Sequence, residues 1–295
     1  MLKIDPAQTP TKDFHQFMLG AVAPRPIAFV SSVSPDGVSN LAPYSFFNAF
    51  SSNPPIVVFS SNRRVENNTT KDTLRNAREV GELVINVVSH AIARQMALTS
   101  IEYGPEVDEF EMAGFSKLPS ERVRPFRVAE SPVQMECVVD QIIPLGESAG
   151  AGHLIVCRIL LMHIDERVLT PNGRIDPHKI DLVGRMGRFW YARASGAAVE
   201  EIVQPVNVIG IGFPGLPESI RVSPVLSGAD LAELAALPAL PDAASAAALA
   251  AEDPEAARAL AEGQEALHRY IKKAIEGRDI DRAAKAVALA GLSAR

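Results

Sequence analysis

The sequence predicts a mainly β chain with added helices: a small antiparallel barrel followed by a helical C-terminal extension. Three observations carry this reading. Between residues 27 and 165, six β-like segments recur, each bounded by Gly, Pro, Asn or Ser. The segment 153–164 is apolar on both of its alternating faces, so it needs cover on both sides. In a small barrel the inner face is core, and the outer face must be covered by helices or by a second subunit. After about Ser223 the composition turns to Ala, Leu and Glu, with Tyr270 the sole aromatic beyond residue 228.

In chain order, residues 1–20 form a polar lead-in with one helical turn near Phe14 and Phe17. Strands are expected at 27–34, 38–42, 56–61, 83–89, 133–144 and 154–164. Pro35-Asp36-Gly37 supplies the first turn: Pro sets φ, Asp bonds its own backbone and Gly takes positive φ. Thr69 or Thr70 can cap a helix over 71–78, and 90–99 suits another. Asn172-Gly173 is a hairpin turn signal. Further helices are expected near 228–236, 242–251, 254–276 and 279–291. Leu260, Leu267, Ile271 and Ile275 recur at helical spacing, which favours a helix docked on the barrel or on another subunit over a loose tail. The chain thus divides into 1–226 and 227–295.

Bulk properties narrow the function classes. With 295 residues and 47% hydrophobic content, the chain can build one good core plus an extension. Its net charge of −6, without a basic block, argues against nucleic-acid partners. The longest apolar stretch, 154–162, is interrupted by Arg158 and too short to span a bilayer. No signal-peptide pattern opens the chain, so no membrane partner and a cytoplasmic setting are expected. Cys137 and Cys157 lie in strand-like runs and read as buried thiols, neither a disulfide framework nor a zinc site. Metal and hydrolase motifs are missing from the sequence, and no metal site is expected.

The most informative stretch is Pro24-Arg25-Pro26-Ile27-Ala28-Phe29-Val30-Ser31-Ser32 and the segment 40–48 that follows it. The latter reads as a loop of small residues, amides and hydroxyls that leaves main chain bare to a ligand. Nothing in it pairs a nucleophile with a base; it suits a planar cofactor held by a polar edge. The plainer alternative is an ordinary polar connection between strands.

These residues also carry a resemblance. Pro24-Arg25-Pro26, Asn40-Leu41-Ala42-Pro43 with Ser45-Phe46-Phe47-Asn48, Asn53-Pro54-Pro55 and Lys71-Asp72-Thr73-Leu74 occur in that order. Ala129-Glu130-Ser131-Pro132 with Glu136-Cys137, His163-Ile164-Asp165 and the run 185–191 follow. Over roughly residues 10–195 the chain resembles the flavin reductase-like family. The resemblance implies an FMN-binding split β-barrel, antiparallel with Greek-key connections, usually dimeric. It implies FMN as cofactor, with FAD possible, and NAD(P)H as a transient co-substrate.

On that resemblance, the main chain of Leu41, Ala42 and Pro43 would meet the pyrimidine edge of the flavin. Ser31, Asn40 and Ser45 would add polar groups, and Phe46 would line the ring. Ser60, Ser61 and Arg63 end a strand, and Lys71, Asp72 and Thr73 open a helix. Together they suit a phosphate, which gains free N–H donors and a favourable dipole at a helix N-terminus. A solvated charged loop is the alternative. His163 would position flavin or nicotinamide, or else be a satisfied structural histidine. Arg188, with Arg185, Trp190 and Tyr191, would form a flap over the flavin or simply a rim. Gly210-Ile211-Gly212-Phe213-Pro214-Gly215 matches the dinucleotide fingerprint only formally, because Pro214 and Pro217 break the helix that fingerprint needs. The implied activity is NAD(P)H:flavin reduction serving a monooxygenase or another electron acceptor. The alternatives are a flavoredoxin-like carrier and a flavoenzyme acting on its own substrate.

Overall fold

The computed structural model describes residues 1–202 and 206–293, so Ala294 and Arg295 of the expected extension lie outside the described residues. The chain forms two compact units, Met1–Glu200 and Glu201–Arg295.

The first unit opens with helix α1 (Thr11–Ala21), longer than the single expected turn. Strands β1 (Ala28–Val33), β2 (Ser39–Tyr44), β3 (Phe47–Ser52) and β4 (Pro55–Ser60) follow, then α2 (Asp72–Glu79) and β5 (Glu82–Val87). Next come α3 (Ala93–Leu98) and α4 (Glu109–Ala113), and the short strands β6 (Lys117–Leu118) and β7 (Arg127–Val128). The long strands β8 (Val133–Pro144) and β9 (His153–Ile164) and the hairpin β10 (Val183–Gly187) and β11 (Trp190–Arg193) complete it. All six expected strands are present. The expected loop 40–48 is instead the end of β2, a two-residue link and the start of β3.

That link decides the shape. Seven strands form one antiparallel sheet in the order β2-β1-β5-β8-β9-β4-β3, so β2 and β3 are opposite edges. Strands lie about 4.8 Å apart, which would separate the edges of a flat sheet by about 29 Å. Ser45 and Phe46 can bridge only about 11 Å. The sheet is therefore rolled until its edges face each other, a split β-barrel.

The barrel interior holds Val30, Tyr44, Phe59, Ile85, Cys137, Ile155 and Cys157, and Leu74 and Ala77 of α2 close onto it. On the other face of β1, Ile27 and Phe29 join Leu41, Met96, Phe110 and Phe115 in a second cluster beneath α3 and α4. β1 is thus covered on both sides. β9 departs from the expectation. Its even positions are half-buried at the start, and Leu160, Met162 and Ile164 end 43%, 43% and 37% exposed. Bulges in the β8–β9 ladder, at Glu136/Cys137 and Val139/Gln141, break the simple odd–even alternation.

The second unit is helical: α5 (Glu218–Arg221), α6 (Gly228–Ala235), α7 (Ala243–Glu252), α8 (Pro254–Glu262), α9 (Gln264–Glu276) and α10 (Ile280–Ser293). The expected helix 254–276 is two helices, because Gly263 takes φ 108° between them. Leu267, Ile271 and Ile275 are buried against Leu234, Ala283 and Val287 of the same unit. The apolar stripe therefore serves the helical unit's own core. Leu216, Ile220 and Leu226 also belong to that core, which moves the division from residue 226 to 200. Composition lagged the fold there because these anchors precede the Ala-rich run.

Candidate functional site

A cleft of about 260 Å³ opens where β2, the Ser45–Phe46 link and the end of β4 meet α1 and β10. β2 is a sheet edge, so Pro43 sits where its missing N–H costs no ladder bond. Pro43, Tyr44, Ser45, Phe46 and Ser60 line the cleft with His15, Arg25, Asn62, Lys71, Ser100, Arg185 and Tyr191. A smaller pocket of about 70 Å³ adjoins it, sharing Pro43, Tyr44, Lys71 and Ser100 and adding Asn40, Arg64, Asp72, Thr73, Glu102 and Glu109.

One end of the cleft is built for an anion. Lys71 stands at the N-cap of α2 with no side-chain cap bond, so neither Thr69 nor Thr70 caps this helix. Its ammonium lies 5.1 Å over the Tyr44 ring, and burial, then Arg64, pushes its pKa down. Arg64 is fixed beside it by Glu102 at 2.7 Å and by the Thr70 carbonyl at 2.8 Å. The hydroxyls of Tyr44 and Ser61 are buried with no hydrogen-bond partner among the described residues. Burial raises the Tyr44 pKa to about 12, so this phenol stays a proton donor. Unmet donors beside two cations fit a phosphate. Glu109 lines the smaller pocket, accepts the Leu41 N–H at 2.9 Å, and is raised in pKa by burial.

The other end suits a ring. Phe46 meets His15 edge-on at 6.3 Å and lies 5.9 Å from the Arg25 guanidinium. Arg25 is 5% exposed and donates to the carbonyls of Leu19 and Val22 and to Ser45 Oγ at 3.4 Å. Arg185 stacks 4.7 Å over Tyr191 and bonds its hydroxyl.

The structure gathers Ala42, Pro43, Ser45, Phe46, Ser60, Lys71, Asp72 and Thr73 at these two pockets, with Asn40 at their edge. Asn40 Nδ2 is taken by Ser32 Oγ at 3.1 Å and Thr73 Oγ1 at 2.9 Å, which ties α2 to the sheet. Ser61 is buried, lining neither pocket, and offers only its hydroxyl. Four expected residues sit elsewhere. Ser31 donates to the Phe126 carbonyl at 2.5 Å. The Leu41 side chain is in the cluster under α3 and α4, and its N–H is held by Glu109. Arg63 folds back onto Asn68 with bonds of 2.6 Å, and the cation at the pocket is its neighbour Arg64. Arg188, at φ 46°, bonds Gln16 from an exposed turn, and Arg185 takes the place at the cleft.

His163 also lies outside both pockets. Its Nε2 bonds Glu136 at 2.6 Å. Glu136 is fully buried and accepts from the N–H groups of Glu121 and Arg122. Burial would raise the Glu136 pKa, but the Glu121 N–H, His163 and the Arg122 N–H together hold it below its ordinary value. This His–Glu pair anchors the 121–122 backbone. Sequence reasoning passed over Arg25 and Tyr44 as site residues, although both stand inside the quoted motifs. His15, Arg64 and Ser100 carry no local signal.

The rolled edges define the class: a split β-barrel whose open seam carries a cationic cleft. The chain belongs to the flavin reductase-like family; residues 19–177 match the flavin reductase like domain. A protein of Aquifex aeolicus without an assigned function is 35% identical over 189 residues, 64% of this chain and 94% of that one. Nitrilotriacetate monooxygenase component B from Bacillus cereus is 33% identical with a TM-score of 0.63, over 69% of this chain and 98% of that one. The 2-nitrobenzoate 2-nitroreductase of Pseudomonas fluorescens is 27% identical, also at 0.63, over 72% and 100%. About a third of this chain has no counterpart in the Aquifex protein.

Proposed function

We propose that this protein is an FMN-dependent oxidoreductase, an NAD(P)H:flavin reductase serving a partner such as a monooxygenase. One observation carries the reading: the cleft sets an anion-binding end, with the orphaned buried Tyr44 hydroxyl, opposite an aromatic and arginine-lined end. FMN has that polarity. Lys71, Arg64, Thr73 and the Tyr44 hydroxyl would hold the phosphate, with Ser61 buried behind them. Ser45, Phe46 and the free edge of β2 at Ala42 and Pro43 would hold the ring. A bound flavin supplies hydride acceptance and electron transfer, and the protein supplies position and electrostatics. Similarity to a monooxygenase component B supports the choice of partner. Among the described residues no helix is long and apolar enough to cross a membrane.

A homodimer belongs to the same proposal, supported by the uncovered Leu160, Met162 and Ile164. Sedimentation should give twice the 31.6 kDa chain mass; a monomer that still binds FMN would remove it. The second reading, a flavoenzyme acting on its own substrate, is favoured by the likeness to a nitroreductase. Stopped-flow mixing of the FMN-loaded protein with NADH and with NADPH tests the proposal. Rapid bleaching of the flavin band by either is expected. No bleaching by either would leave a carrier reduced by another protein.

A further inference from the structure

The ring end of the cleft carries charge that the chain does not neutralise. Arg25 and Arg185 are held side by side by reciprocal main-chain bonds of 2.9 and 2.8 Å. The acceptors of Arg25 are all neutral: two carbonyls and the Ser45 hydroxyl. Those of Arg185 are the Tyr191 hydroxyl and the Arg188 carbonyl. Among the described residues no Asp or Glu lines this cleft; its other titratable groups are His15 and Tyr191 nearby and Lys71 and Tyr44 toward the far end. The proximity is felt: burial, then Arg185, lowers the Arg25 pKa, and burial, then Arg25, lowers that of His15. Arg193, on the same hairpin, shows the ordinary arrangement, bonding Asp181 through two nitrogens at 2.7 and 2.8 Å.

We infer that the Arg25–Arg185 pair biases the cleft toward the reduced, anionic form of its bound flavin. The inference rests on the flavin reading above and adds to it a role for two residues. Two electrons and one proton delivered to a neutral oxidised ring leave it with one negative charge. The phosphate keeps its charge throughout. Cations at the phosphate end therefore help both redox forms alike, whereas cations at the ring end favour the reduced form.

The test uses the full chain loaded with FMN. Oxidised-FMN affinity is measured by titration and the midpoint potential by spectroelectrochemistry, in wild type, Arg185→Gln, Arg185→Lys and Arg64→Ala. Arg185→Gln should lower the reduced-to-oxidised affinity ratio roughly tenfold, a fall of about 30 mV for a two-electron couple. Arg185→Lys should restore most of it. Arg64→Ala should weaken FMN while leaving the potential unchanged. Bound FMN with a wild-type potential in Arg185→Gln would overturn the inference alone. A wild-type protein that takes up no FMN would overturn the flavin reading and this inference with it.

Discussion

The helical unit and the cleft of the barrel unit handle charge in opposite ways. In the helical unit, Arg258, Arg269, Lys273, Arg282 and Lys285 each have a carboxylate partner. Three of its helix starts are closed by side chains: Ser227 and Asp230 form a capping box, Asp242 caps α7, and Asp253 caps α8 while accepting from Tyr270 at 2.6 Å. In the barrel unit Arg158 and Arg193 are likewise paired, with Asp140 and Asp181, but Arg25, Lys71 and Arg185 face a cleft that no carboxylate among the described residues lines, and α2 begins without a side-chain cap. Exposed pairs contribute about 0–1 kcal/mol each, so the pairing in the helical unit describes a solvated surface. Partly buried cations left unpaired cost stability, and a fold keeps them where a ligand supplies the counter-charge. The difference sets the cleft, where the proposed flavin would supply counter-charge, apart from a unit that neutralises much of its own surface.

The sharpest way to break this comparison is to attack the core of the helical unit. Leu267 is 2% exposed within it. Leu267→Asp should cost about 3–5 kcal/mol, by lost packing and a buried carboxylate. Limited proteolysis should then digest 201–295 and spare the barrel. Digestion of both together would show that the units are not separable.

A second variant acts inside the barrel. Glu136→Gln should cost about 1–3 kcal/mol, because the Glu121 and Arg122 N–H groups and His163 lose a charged acceptor. The Glu136 pKa is depressed in the folded state, so its contribution is full above the unfolded carboxylate pKa. It is lost as pH falls through the lower folded value. Acid titrations of stability should therefore differ between wild type and variant at neutral pH and converge in strong acid. A constant difference across that range would contradict the assignment.

The smallest effect expected is from removing the helical unit. A chain ending at Glu200 should keep wild-type FMN affinity within about threefold, since every residue assigned to the cleft precedes Glu200. Loss of FMN from a folded truncated barrel would make the second unit part of the site.

How far the sequence revealed this arrangement depended on what kind of signal each element carries. β8 was legible to its end residues, because a β-rich segment bracketed by Ser131-Pro132 and Pro144 has few alternatives. β3 was not, because Asn48, Ala49, Phe50, Ser51 and Ser52 lie exposed on an edge strand and carry no core pattern. At the site, the motif positions Pro43, Ser45, Phe46 and Lys71 came together as expected. Two expected arginines lie beside the pockets rather than in them, with a near neighbour lining the wall instead: Arg64 near Arg63, and Arg185 near Arg188. Which of two nearby arginines turns inward depends on local backbone geometry, such as the left-handed turn at Arg188, and no motif records that. Of the two readings of His163, the geometry matches the structural one, because register pairs its strand with β8 and sets it beside Glu136 rather than in the cleft.

The central claim is that Lys71 and Arg64 form the phosphate end of a flavin site. Titration calorimetry with FMN and with riboflavin tests it directly, on wild type, Lys71→Ala/Arg64→Ala and Arg63→Ala. Each charged hydrogen bond to phosphate contributes about 1.5–3 kcal/mol. The account predicts one FMN per chain in wild type, at least a hundredfold weaker FMN binding in the double variant, and unchanged riboflavin binding. Arg63→Ala should stay near wild type. Equal FMN affinity in the double variant and wild type, or a larger loss in Arg63→Ala, would contradict it.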